Sequence, residues 1–454
     1  MFKTLSRFAC TLAHAHSHSR AHAHAHSHAH ARADTLVPAL LQVLVLLLVL
    51  VLGLAAADVH AQRVTVTVAT FPDLDRAAKA AAPRWQKLHP EVEIRIVSLQ
   101  YADHHTAMTT AMATASGLPD VVALDFRYIG KFAEAGALDD LLKPPYNAGP
   151  LRDKLVRYTV PQSTNSKGEW VAVPTDIGPG TLLYRKDLMD KAGITEADLT
   201  KDWASYIEAG KQLKARTGAY LMADAGDLRD IVLRSSLKDG EGLYFDKNGK
   251  VLVDSPRFVR AFELGLAARQ AGIDAKVVAW TNEWSAGFKQ NRIASQMMGA
   301  WLAGHLKNWL APDTAGLWRA APLPGGGYAS YGGSFYAIPK AAAHKAQAWA
   351  FIQFMTMDAA TQLDSLRVLD SFPALAGAHA APMMEEPLPF LGGQKARLLW
   401  RDIAAKVPAV PVNKHDALAT DVIRDEFENV LTKGKAIPAA LADAKALIER
   451  RARR

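Results

Sequence analysis

From Val64 onward the chain alternates short period-two stretches with helical stripes. Val64, Val66 and Val68 are separated by threonines, the pattern of a half-buried strand. Leu74, Ala77, Ala78, Ala81, Trp85 and Leu88 then recur at helical spacing. Pro83 falls inside that helix and is predicted to kink or interrupt it, because proline has no N–H to give. Val92, Ile94 and Ile96 mark a second strand, and His104, Ala107, Met108, Ala111, Met112 and Ala115 a second helical face, closed by Gly117. VVALD, residues 121–125, is a third strand. Strand, helix, strand, helix, strand predicts an α/β fold with a parallel sheet covered by helices. Ligands of such sheets sit beyond the carboxyl ends of the strands, which points to the loops at 70–73, 99–105 and 125–128. Further on, WVAVPTDI (170–177) and TLLYRKDL (181–188) read as two more strands. Ala348, Phe351, Ile352 and Met355 share one helix face, after glycines at 325–327 and 332–333.

Upstream the pattern changes. Residues 36–57, LVPALLQVLVLLLVLVLGLAAA, are almost wholly apolar, with Arg20 and Arg32 before them and Val59-His60-Ala61 after them. This reads as an export signal cleaved after Ala61, so that residues 1–61 form a leader and the mature protein is periplasmic. An apolar run of about 20 residues is also long enough to remain as an anchor. The tract of alternating histidine with alanine or serine from His14 to His30 has a composition that can hold zinc or nickel. It lies upstream of the export core and is expected to leave with the leader. Cys10, the one cysteine, precedes the apolar run rather than ending it, which argues against a lipid anchor. The rest of the chain has no disulfide to rely on and must be held by packing.

Composition excludes some functions. The 454 residues carry a formal charge of +8, but the basic residues are scattered apart from Arg450, Arg451, Arg453 and Arg454, and no basic stripe with interleaved aromatics suggests nucleic acid. Ser334 follows two glycines but precedes Phe335-Tyr336, which does not make a nucleophile elbow. No phosphate loop and no His-Glu-x-x-His helix occurs. His104 and His105 follow Asp103, but neighbouring positions on a helix point about 100° apart, so one metal does not readily take both. His104 is expected on the helix face and His105 in solvent. These signals give an enzyme reading only weak support, and no catalytic residue, metal or cofactor is expected.

Five stretches carry a resemblance over essentially the whole chain after the leader. They are GLPDVVALDFRYIGKFAEAGALDDL (117–141), VAVPTDIGPGTLLYRKDLMDKAGI (171–194), FKQNRIASQMMGAWLAGHLK (288–307), APLPGGGYASYGGSFYAIPK (321–340) and AQAWAFIQFM (346–355). In order and spacing they resemble the extracellular solute-binding protein family 1, the maltose-binding-protein-like carbohydrate receptors of ABC importers. The resemblance implies a periplasmic-binding-protein-like fold of two α/β lobes around a cleft. Lobe one would hold residues 62–175 and 333–371, and lobe two residues 176–332 and 372–454. The hinge between them would be crossed at Pro174–Gly180 and Ala329–Gly333, both rich in proline and glycine.

The implied function is capture of a mono- or oligosaccharide by a monomeric receptor, which hands it to an inner-membrane ABC permease. A sugar offers hydroxyls at its edge and C–H groups on its faces, so its site needs carboxylates and flat rings. Trp301 matches the position where the family places a stacking aromatic; a core tryptophan is the other reading. Asp125 ends a strand at the ligand rim, or caps the next helix. Asp176 sits at the first crossing, where an acidic residue often faces the ligand, or forms an Asx-turn. Gly333 and Ser334 can bring backbone amides close, and Tyr331 beside them is a second stacking residue. Phe71 and Asp73 follow the first strand, Asp73 also being a good cap. Asp224 either reaches the cleft or turns a loop. Trp280 lies near the face of lobe two, whereas Trp284 and Phe288, four apart, are spaced as core. Carboxylates with rings also suit a cation such as a polyamine, and a periplasmic hydrolase or a membrane-anchored sensor are more distant alternatives.

Overall fold

The computed structural model describes residues 63–453. The expectations placed on residues 1–61, namely the export segment, its cleavage, the histidine tract and Cys10, lie outside the described residues.

The three predicted strands form as β1 (Val64–Thr70), β2 (Val92–Ser98) and β3 (Val121–Asp125). They are parallel, with Val64 opposite Val92 and Val68 opposite Val121. Their alternation sorts the side chains onto two faces. Val66, Val68, Val121 and Ala123 pack with Trp85, Tyr336 and Phe351. Ala69, Val122 and Leu124 face the other way, onto Met108, Ile129 and Phe132. Both faces are covered, as the near-continuous apolar run of β3 requires.

The helix Leu74–Leu88 runs through Pro83 without the expected interruption. Trp85, 1% exposed, sets its ring edgewise on Phe351 and Phe354, each 5.4 Å away. Burial of that indole holds the second half of the helix in line against the missing hydrogen bond. The two stretches predicted as separate strands are one, β4 (Val173–Arg185), after which Lys186–Ala192 is already helical.

β4 ties the whole sheet together. Its first half pairs with β7 (Ser330–Ala337) and β8 (Phe372–Pro373), and its second half with β5 (Ser295–Gly299) and β6 (Trp318–Ala321). The strand order is β2-β1-β3-β7-β4-β5, with β6 and β8 also on β4. Along the second half Leu183 points to one core and Leu182 and Tyr184 to another. The second core is filled by Tyr206, Leu213, Phe258, Phe262 and Phe427, from the helices Trp203–Thr217, Pro256–Gln270 and Asp416–Lys433.

The segments expected as hinge loops are therefore paired strands. Ile177 lies opposite Gly333 and Pro179 opposite Ser330, with register shifts between Pro174 and Asp176 and again between Ile177 and Pro179. Prolines interrupt the ladder and bulges absorb the mismatch. Asp176 pairs with Ser334 on one side and Pro373 on the other, so β4, β7 and β8 meet at one rung.

Candidate functional site

The carboxyl ends of β1 and β3 open beside this rung. Phe71, just past β1, is 7% exposed and lies beneath Tyr101, His104 and His105, at 5.6, 5.5 and 5.3 Å between ring centroids. It is a floor rather than an open face. His105 is 1% exposed, not in solvent as the helical pattern implied, and stacks on Tyr128 at 4.1 Å. Its Nδ1–H donates to the Tyr101 carbonyl (2.7 Å), and its Nε2 accepts from the Asp125 amide (3.1 Å). That pairing fixes a neutral ring with the proton on Nδ1, and burial pushes its pKa down to about 4. His104 donates through Nε2 to the Ala123 carbonyl (2.7 Å). Both histidines thus hold the end of β3 to the helix Tyr101–Thr114.

Asp125 is held at the rim. Its Oδ1 accepts from the Tyr101 hydroxyl and from the Arg127 amide, both at 2.8 Å. Burial nevertheless raises its pKa to about 6, against those hydrogen bonds and the charges of Arg127 and Arg234. Asp176 is also raised to about 6, first by burial and then by the charges of Asp125 and Asp73; hydrogen bonds from Ser334 oppose the rise. Its Oδ1 is buried and has no hydrogen-bond partner among the described residues. A buried acceptor left open inside a strand is an unusual cost, one that a ligand hydroxyl can relieve.

An aromatic group is built from the segment after β5 and from Trp280, ahead of the helix Asn282–Lys289. Trp301 is half-buried, and its Nε1–H donates to the Tyr331 carbonyl (2.8 Å). Three glycines make room for it. A Cβ at Gly178, Gly299 or Gly332 would stand 2.8, 2.2 or 2.6 Å from the indole nitrogen. Trp280 lies nearly parallel to Trp301, 24° and 5.8 Å between centroids, and is 54% exposed. Its φ of 72° is strained for so bulky a residue. Trp284 and Phe288 are fully buried. His305 stands edgewise to both Trp280 and Trp301, at 5.5 and 5.4 Å. Its Nδ1 accepts from Trp309 Nε1–H (2.9 Å), leaving Nε2 to face Asp73 Oδ2 at 3.5 Å. Asp73 occupies the cap position of its helix without capping it, at a φ of 75°, and binds Arg76 instead.

Sequence reasoning missed Tyr101, Arg127, Arg234 and His305. Tyr101 and Arg127 stand in two loops that the strand-end rule had marked; Arg234 and His305 carry no local signal. Arg127 pairs with Asp421 (2.7 Å). Arg234 lies over the rings of Phe126 and Tyr331, 5.0 Å from each centroid. Nine of the ten predicted residues, Phe71, Asp73, Asp125, Asp176, Trp280, Trp301, Tyr331, Gly333 and Ser334, fall into this one neighbourhood. Asp224 has other engagements: Oδ1 accepts from the Gly226 amide as a helix cap (2.7 Å), and Oδ2 from Arg269 (3.0 Å). Carboxylate oxygens, a guanidinium and open ring faces suit a ligand with hydroxyls on its edge and C–H on its faces.

The family described as bacterial extracellular solute-binding protein matches residues 69–362. A lactose-binding protein of Rhizobium radiobacter is 29% identical over 350 residues, 73% of this chain and 79% of that protein. An arabinooligosaccharide-binding protein of Halalkalibacterium halodurans is 26% identical over 186 residues, 40% of either chain. Among solved structures, the ABC transporter associated binding protein of B. animalis subsp. lactis in complex with β-1,6-galactobiose superposes with a TM-score of 0.70 at 23% identity, over 86% of this chain and 98% of that one.

Proposed function

We propose that this chain, which belongs to the family of bacterial extracellular solute-binding proteins, captures a carbohydrate and delivers it to an inner-membrane ABC permease. The observation that carries the sugar reading is the pair of nearly parallel tryptophan rings, Trp280 and Trp301, joined through His305 to Asp73, together with the open buried acceptor of Asp176. The ligands of the relatives, lactose, an arabinooligosaccharide and β-1,6-galactobiose, support the same class. The family is one of binding proteins, and this chain is read as non-enzymatic. A micromolar receptor needs about 8 kcal/mol, within reach of one or two stacked rings and several satisfied hydroxyls.

Residues 62–175 with 333–371, and 176–332 with 372–454, are read as two lobes that close on the ligand. Support comes from the rung at Asp176, where β4 and β7, which contain the first two boundaries, meet β8, which begins at the third. Ligand contacts made by both lobes favour the closed form, which the permease would recognise. The chain is further read as a periplasmic monomer freed from its leader after Ala61; among the described residues no helix is long and apolar enough to cross a membrane. The test is a thermal-shift screen of residues 62–454 against neutral mono- and oligosaccharides and against spermidine, followed by small-angle scattering. A stabilising neutral sugar that shrinks the radius of gyration is the expected result. Stabilisation by spermidine alone, weakening with salt, would replace the sugar by a cation, a reading that the carboxylates Asp73, Asp125 and Asp176 favour.

A further inference from the structure

Arg234 stands out among the arginines of the described residues that lie over an aromatic ring. Arg84, Arg127, Arg185, Arg229 and Arg257 each also hold a carboxylate. Arg234, half-buried at the end of the helix Ala225–Ser235, makes no hydrogen bond or ion pair among the described residues. Phe126, on the loop past β3, and Tyr331, on β7, take its guanidinium within 5.0 Å of their ring centroids. Contacts with ring faces leave the edge of the guanidinium, where its N–H groups point, without a protein acceptor.

Carboxylates are close, yet none takes those N–H groups. Asp125 accepts from Tyr101 and the Arg127 amide, Asp416 from the Asn413 amide, Asp230 from Arg229 and Asp227 from Gln296. The charge of Arg234 is near enough to pull the pKa of Asp125 and of Asp416 downward. A ligand carboxylate entering here would meet the field of these acidic groups, whereas neutral hydroxyls would not.

We infer that Arg234 is a specificity residue of the cleft, its guanidinium donating side by side to two adjacent hydroxyls of a neutral sugar. This rests on the carbohydrate reading above. A planar fork matches paired oxygens, which a lysine ammonium, acting as a point charge, does not.

The test is calorimetry with the neutral sugar that binds best in the screen, its monodeoxy and O-methyl derivatives, and the corresponding uronic acid. Arg234→Met should weaken the parent sugar about ten- to a hundredfold, the size of one or two charge-assisted hydrogen bonds. Arg234→Lys should restore only a small part of that loss. Wild type should bind at least one derivative weakly, and for that derivative Arg234→Met should cost nothing further. Equal weakening of every derivative would make Arg234 a structural clamp between Phe126 and Tyr331 and overturn the inference, as would unchanged affinity. Tighter binding of the uronic acid than of the parent, lost in Arg234→Met, would overturn the neutral-hydroxyl assignment. If wild type binds no neutral sugar at all, the carbohydrate reading itself fails, and the inference with it.

Discussion

Trp301 is the residue where packing and binding can be separated most cleanly. Its indole sits against three glycines and closes a hydrogen bond to the Tyr331 carbonyl on β7. Trp301→Ala therefore removes three things at once: part of a ring face, a half-buried volume and the partner of a main-chain acceptor. Full truncation of a core aromatic costs ~3–5 kcal/mol. A half-buried ring should lose about half of that, with ~1 kcal/mol more for the unpaired carbonyl. Folding stability should fall by about 2–4 kcal/mol. Binding should also weaken. Because Trp280 lies nearly parallel beside it and keeps some stacking surface, the loss should be about 1–3 kcal/mol, a five- to hundredfold change in Kd.

Trp301→Phe divides these contributions. It keeps a flat ring and most of the volume but leaves the Tyr331 carbonyl without its donor. It should cost about 1–2 kcal/mol of stability while retaining most of the affinity. Thermal melting and calorimetry on the two variants, with the best sugar from the screen, form the assay. If Trp301→Ala lowers stability by the expected amount but binds normally in its folded fraction, Trp301 is core and the stacking argument is wrong.

Trp280→Ala should weaken sugar binding about tenfold with a small effect on stability, since its ring is half in solvent and its backbone at positive φ gains little from any side chain; unchanged Kd would place the platform elsewhere. Gly178→Ala should be severely disruptive, because its Cβ would lie 1.9 Å from the Tyr331 carbonyl oxygen, forcing β4 and β7 apart at a cost of about 1–3 kcal/mol; a wild-type melting temperature would refute that close approach. Asp125 and Asp176 titrate near 6, and Asp227 and Asp416 near 7, all above the ordinary 3.8. Between about pH 4 and 7 the folded chain holds protons that the unfolded chain has released, so their stabilising contribution is full below that window and is lost as pH rises through it. Sugar affinity should run the other way, weaker at pH 5 than at 7.5 as ionised acceptors are protonated. Asp176→Asn should flatten both trends, and identical pH slopes in the variant would exclude Asp176 from them.

The parallel βαβ start was legible because period-two and helical patterns in β1 to β3 and their helices are clean, and because ligand sites follow the ends of such strands. That one rule marked the loops holding Phe71, Asp73, Tyr101, Asp125 and Arg127. What periodicity could not show was long-range pairing. Proline and glycine at 174–180 and 329–333 look like loop punctuation, yet the two segments satisfy each other as bulged strands, which depends on partners some 150 residues apart. Pro83 failed as a breaker for the same reason: Phe351 and Phe354, remote in sequence, bury Trp85 and stabilise the helix around it.

His105 shows the limit most sharply. One position beyond His104 on the helix, it ought to face water, but Tyr128 covers it and the Asp125 amide takes its second nitrogen. A histidine that local pattern assigns to the surface is instead a fixed neutral brace for the rim carboxylate. Arg234 follows the same logic. On its own helix it is an ordinary basic residue near a C-terminus, where the dipole alone would favour it. Only the convergence of Phe126 from the loop past β3 and Tyr331 from β7 turns it into a charged group with occupied faces and an open edge. The proposed cleft is thus composed of residues whose placement is set by contacts between elements distant in sequence. Strand-end position can nominate them, but which groups they would offer a ligand depends on the geometry of those meetings.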